Sequence, residues 1–150
     1  MTRKLVPAAI LASIVMTSLS AHAEETEQKF RREVDQKYPG GRVLKMSFEE
    51  TARDEKTSTA KAVVVAGAAL PAKVFMLRSA YQLAIERKCT HFIKLADIKE
   101  EDGSTTYKVG FTNDPAVDVV AYFQLEKPLP NEPGYQMQSV KDLEVMFKEG

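Results

Sequence analysis

A chain of 150 residues with 21 basic and 21 acidic residues, the two signs interspersed, lacks the charge excess that draws a protein to nucleic acid or to an anionic membrane. It is long enough for one domain with a modest core, and its single cysteine, Cys89, leaves no internal disulfide to reinforce that core. No repeat or low-complexity tract divides it.

The first segment predicts export. Met1-Thr2-Arg3-Lys4 is a short positive stretch, Leu5 to Ser18 is uncharged and mostly apolar, and Ala21-His22-Ala23 places small residues where a signal peptidase needs them. Cleavage is expected between Ala23 and Glu24, giving a signal peptide over 1–23 and a single domain over 24–150. The apolar run falls short of the roughly 20 residues that span a bilayer, and no later segment approaches that length. No cysteine stands near position 24 to carry a lipid. Loss of Arg3 and Lys4 from the balanced 21 and 21 charges leaves a net −2. The mature chain is therefore expected to be soluble, in the periplasm or secreted.

Residues 24–38 predict a charged helix whose Phe30, Val34 and Tyr38 recur at i, i+4 and i+8. Pro39-Gly40-Gly41 ends it. Leu44, Met46 and Phe48 alternate with Lys45 and Ser47 as in a half-buried strand over 42–48. The polar run 49–59 predicts a solvated loop or hairpin tip, and the β-branched centre of 60–66 a second strand. The strongest helix signal runs from Pro71 to Lys88. Val74, Leu77, Tyr81, Ala84 and Ile85 share one face, flanked by Met76, Ala80 and Leu83, with Arg78, Gln82 and Glu86 opposite.

Three strands are expected next, over 90–96, 105–112 and 116–125, the first two joined by a hairpin turn at 99–104. In the third, Val120 and Tyr122 leave both faces apolar, which predicts a covered central strand or a dimer contact. The proline-rich stretch 126–134 predicts an irregular connection, and 135–138 a last short strand. Ser139 precedes Asp142 by three residues, close to a capping box, and Val140, Leu143 and Phe147 mark one face of a C-terminal helix over 140–148. Together these elements predict an α+β fold: an antiparallel sheet of about five strands, the helix 71–88 packed on it, and N- and C-terminal helices.

Chemistry-bearing residues are few. Cys89 and His91, the only histidine left after export, stand two apart at the start of a predicted strand and so share a face. Such a pair can act as nucleophile and base or contribute to a metal site. Two strand positions apart is roughly 6–7 Å, beyond hydrogen-bond reach, and Ile93 and Leu95 continue the same face inward, which points to a structural role. The carboxylate pairs Glu49/Glu50 and Glu100/Glu101 lie in predicted turns where nothing desolvates them. No phosphate loop, nucleophile elbow or zinc-helix motif occurs. The sequence implies no cofactor and no metal.

The stretch Ser79 to Ile93 (SAYQLAIERKCTHFI) resembles a segment of small, uncharacterised proteobacterial envelope lipoproteins. In these a helix of the form R-A-A-x-L-x-L-x-x-G runs into a strand carrying an aromatic residue and valines. Ala80, Leu83, Ile85 and Phe92 match; Ser79, Tyr81 and Lys88 stand where arginine, alanine and glycine are usual, and the lipidated cysteine is absent. The resemblance implies an envelope location and an α+β fold, and it brings no catalytic residues. The expected function is a non-catalytic binding or envelope accessory domain, monomeric or homodimeric, with a protein partner in the envelope and no nucleic acid. The alternative is a small hydrolase or redox protein using Cys89 and His91, or a chain that dimerises through Cys89.

Overall fold

The computed structural model describes residues 29–148. The predicted signal segment, its cleavage point at Ala23–Glu24 and residues 24–28 lie outside that range. In chain order the elements are β1 (Arg31–Lys37), β2 (Val43–Arg53), β3 (Thr57–Ala66), α1 (Ala69–Glu86), β4 (His91–Lys99), β5 (Thr105–Thr112), α2 (Val119–Tyr122), a 3-10 turn (Pro133–Tyr135), β6 (Gln138–Ser139) and α3 (Val140–Lys148). The strands form one antiparallel sheet in the order β1-β2-β3-β5-β4-β6, curled into a half-barrel, with α1 packed on it. Helix α1 carries the chain from β3 to β4 across the place that β5 fills, so the fold is α+β with six strands.

The predicted N-terminal helix is replaced by β1. Phe30 and Val34 are four apart, a spacing that suits one face of a helix and one face of a strand equally. The residue that decides between them is Arg32, which turns inward between the two and stacks its guanidinium on the Phe75 ring at 4.5 Å. Phe30 meets Phe48 edge-on at 6.0 Å. An inward arginine hides the period of two from a reading that assigns every charge to solvent.

The predicted strand 116–125 is also absent. Asp118 accepts a hydrogen bond from the Ala121 N–H and caps the short helix α2 instead. Val119, Tyr122, Phe123 and Leu125 then gather with Ile93 and Leu95 in a second apolar cluster, on the sheet face away from α1. Phe123 lies flat enough on β5 that a Cβ at Gly110 would come within 2.5 Å of its ring. The apolar alternation that resembles a strand here is the pattern of a segment draped on a sheet. The choice posed for Val120 and Tyr122, central strand or dimer contact, loses its premise.

Helix α1 forms close to where its periodicity predicts, and of the expected face and its flank Ala80, Tyr81, Leu83 and Ala84 are buried. Its buried residues are Phe75, Ser79, Ala80, Tyr81, Leu83 and Ala84, whereas Val74 and Ile85 are 45% and 48% exposed. The buried Ser79 hydroxyl donates to the Phe75 carbonyl at 2.7 Å and meets Arg32 Nη1 at 3.2 Å. Arg78, expected on the solvent face, lies instead over the Phe147 ring of α3 and donates to the Phe147 carbonyl at 3.4 Å. Leu143 and Phe147 bury the α3 face that the sequence marks, and Ser139 Oγ accepts from the Asp142 N–H at 3.3 Å as a cap. Met46, Phe48, Ala60, Ala62, Val109 and Phe111 complete the main core beneath α1.

Candidate functional site

Cys89 and His91 are held by the way α1 ends. Lys88 adopts a left-handed conformation at φ 60°. The Lys88 N–H donates to Ile85 O and the Cys89 N–H to Ala84 O, both at 2.9 Å. That is the paired closure of a Schellman motif, in which the second residue past the helix supplies an apolar contact back to the last turn. Cys89 occupies that place and packs, half-buried, against the main core. Its thiol is pushed up by burial, with the Arg87 charge pulling the other way without reversing the shift. Sγ approaches the Arg87 carbonyl at 3.5 Å, while His91 Nδ1 is 2.8 Å from Thr90 Oγ1. No hydrogen bond joins the two side chains among the described residues. No cluster of three or more His, Cys, Asp or Glu side chains placed for a metal occurs among them either.

The most elaborate polar constellation is one that the sequence reading places in solvent. Glu50 continues the inward series Met46, Phe48, Glu50 along β2 and is only 1% exposed. A register shift between Glu50 and Ala52 makes Thr51 the extra residue and turns the strand end back over the sheet. Arg53 then reaches the carboxylate with both arms, Nε to Oε2 at 2.9 Å and Nη2 to Oε1 at 2.8 Å. Ser58 Oγ donates to Oε2, and the Phe30 N–H to Oε1 at 3.3 Å. Four donors meet the four acceptor sites of an ionised carboxylate. Burial alone would raise the Glu50 pKa. The Arg53 and Ser58 hydrogen bonds, with Phe30 N–H and the Arg53 charge, outweigh burial and hold it below the usual range.

Arg87, at the C-terminal end of α1, locks the same corner from the helix side. Its Nη1 donates to Ser58 Oγ at 2.7 Å and Thr57 O at 2.8 Å. Its Nη2 donates to Asp54 O at 2.6 Å and Glu55 O at 3.0 Å. The guanidinium lies 4.6 Å from the Phe111 ring centre. Arg53 Nη2 adds a 3.1 Å bond to Glu86. Asp54 in turn accepts from Lys56 N, Thr57 N and Thr57 Oγ1 at 2.8–2.9 Å, which shapes the hairpin tip. What this arrangement does chemically is fasten the β2–β3 hairpin to the end of α1. Glu50 has no acceptor site left for a substrate proton. The signal that could have revealed it is the period of two carried two residues past Phe48.

Shallow hollows mark the surface of the described residues, and two of them adjoin the sheet. One, of about 260 Å³, lies beside β4 and is lined by Ile93, Val119, Leu129 and Tyr135, with Asn131 and Glu132 on its polar side. The other opens over the β4–β5 turn, between Lys61 and Glu100 to Asp102. Glu100 and Glu101 are exposed there, as their place in a turn predicts. No helix among the described residues is long and apolar enough to cross a membrane. No family model matches the chain, and no curated protein or solved structure matches it either.

Proposed function

We propose that the chain is exported, is cleaved between Ala23 and Glu24, and works as a non-catalytic binding or accessory domain of the cell envelope. The observation that carries the location is the charged, apolar and small-residue series of residues 1–23. The non-catalytic reading is supported by how the polar groups are used. The buried carboxylate of Glu50 is saturated by four donors, and the Cys89 thiol sits at a helix end with its pKa pushed up. A nucleophilic cysteine needs the opposite, a depressed pKa and an adjacent base.

Intact mass of the exported protein tests the location. A chain beginning at Glu24 and free of acyl groups is expected, and a species retaining Met1 overturns the reading. Native thiol labelling tests the rest. Cys89 is expected to react slowly until denaturant releases one thiol per chain. Rapid native labelling that rises around neutral pH would move the Cys89/His91 hydrolase or redox alternative ahead. A dimer that dissociates only under reducing conditions would point to an intermolecular disulfide.

A further inference from the structure

Four elements meet at one end of the sheet. Antiparallel pairing sets Lys37, the last residue of β1, opposite Val43, the first of β2, and Lys45 opposite Ala66, the last of β3. The β1–β2 turn and the connection from β3 into α1 therefore share that end. Pairing between β3 and β5 stops at Ala62 and Thr105, so residues 63–66 project past β5. Gly67 then lies against the Leu44 and Met46 side chains.

This end is apolar where local stability asks for polar residues. A helix start is ordinarily capped by Ser, Asp or Asn and carries acids in its first turn. Helix α1 opens instead with Ala68 in the cap position, no side-chain cap and no acidic residue in its first turn. The connection reads Ala66-Gly67-Ala68-Ala69-Leu70-Pro71. Leu70 is 71% exposed and Val65 66%, and Tyr38, Val43, Val64 and Val74 are exposed at the same end. The charges on the two connections are all positive. Lys37, Arg42, Lys45 and Lys73 are exposed, and no Asp or Glu occurs over residues 36–48 or 62–85. No salt bridge among the described residues engages any of these four cations. Asp35 stands opposite Lys45 on β1. In the β4–β5 turn Glu101 is exposed, while Asp102 is held by Lys61 and Glu100 by Thr106. The chain-wide balance of charge thus hides a local positive excess.

We propose that this end of the sheet, the 38–42 turn with residues 64–74, docks on an anionic lipid bilayer. Val65 and Leu70 enter among the headgroups with Tyr38 beside them, and Lys37, Arg42, Lys45 and Lys73 meet the lipid phosphates. Charge and shape both argue for this occupant. Cations around exposed aliphatic side chains complement a surface that is negative at the headgroups and apolar beneath. Tyrosine suits the boundary between the two. The end projects, and neither of the two hollows that adjoin the sheet is lined by it. A protein partner would need a matching concavity, whereas a bilayer yields to a protruding tip. The proposal deepens the envelope reading and rests on it for where such a bilayer is met.

Flotation of the exported chain with vesicles of phosphatidylcholine, alone or with ~30% phosphatidylglycerol, tests this. The chain is expected to float with the anionic vesicles only, and to be released as salt rises from ~0.1 to ~0.5 M. Leu70→Glu supplies the acid that the first turn of α1 lacks and so favours folding. It should lower partitioning by about tenfold. Lys73→Gln should lower it by about fivefold, the effect of one cation near an anionic surface. Ile85→Glu, the same kind of change at an exposed site about 22 Å along α1 from Leu70, should leave it unchanged. Equal flotation with both vesicle types, no flotation with either, or a loss that Ile85→Glu matches overturns the proposal. So does capture of a protein through Leu70 by a chain that ignores vesicles, which would make this end a protein interface. A chain retaining Met1 would contradict export, while the comparison of Leu70→Glu with Ile85→Glu would still decide the docking.

Discussion

On one side of the sheet the cover is an 18-residue helix, whose buried residues meet Met46, Phe48, Val109 and Phe111. Its polar members, Arg32, Glu50, Ser79 and Arg87, are bound to defined partners. On the other side the cover is a connection with one helical turn, and three buried residues, Ile93, Leu95 and Phe123, anchor it. The first side is held by regular elements cross-linked through charge-assisted hydrogen bonds. The second is held by apolar packing alone, with the Phe123 ring seated on Gly110. The first should therefore fail through loss of a polar partner, and the second through a single added methyl group.

The largest effect is expected at the polar corner. Glu50→Gln takes from Arg53 its buried ionised partner and leaves it only the more exposed Glu86, and should destabilise the chain by about 3 kcal/mol in denaturant titration, the low end of the range for breaking a buried pair. The pH dependence sharpens this. Glu50 has a folded pKa below the unfolded value of about 4.3. Its contribution is thus complete above that pH and is lost as pH falls through the folded value. Stability of the wild type should decline on acidification below about pH 4.3, and the difference from Glu50→Gln should shrink over the same interval.

On the opposite face, Gly110→Ala should cost about 2 kcal/mol, because the new Cβ meets the Phe123 ring at 2.5 Å and the ring must move. If the two faces are as separate as the clusters indicate, amide exchange should rise in residues 117–125 and leave α1 protected. Exchange rising equally in α1 would contradict that division. The smallest effect is a gain. Lys88→Gly relieves a left-handed residue at the helix end, and should stabilise by about 0.5–1 kcal/mol in thermal unfolding.

What the sequence discloses follows the same division. Strand β5 and helix α3 lie at the predicted residues, because Tyr107, Val109 and Phe111 alternate cleanly and Val140, Leu143 and Phe147 hold a helical period. Arg32, Ser79 and Glu50 were concealed for one reason. Hydropathy assigns polar side chains to solvent, whereas Arg32 and Ser79 meet each other across the fold and Glu50 keeps the inward alternation of β2, where Arg53 and Ser58 satisfy it. Phe123 on Gly110 was hidden differently, since a missing side chain leaves no trace in a periodicity. The Cys89–His91 pair was legible as neighbours on one chain segment. Its setting depends on the left-handed Lys88, which no hydropathy pattern discloses.

The bonds from Arg87 to the β2–β3 tip also decide where the chain can be lengthened. Asp54 O, Glu55 O and Thr57 O all accept from that one guanidinium, so an insertion between residues 54 and 57 would pull the tip off the helix end. The turn after β4 is built otherwise. Glu100 to Gly103 are exposed, and Gly103, at φ 87°, has open space around it. The turn is closed by its own Glu100 and Ser104 backbone bond. An epitope tag or a fluorophore-bearing loop belongs at Glu101–Asp102, ahead of the bonds that Asp102 accepts from Ser104, where the fold should carry it with little loss, and the 54–57 tip, equally polar in sequence, should refuse it.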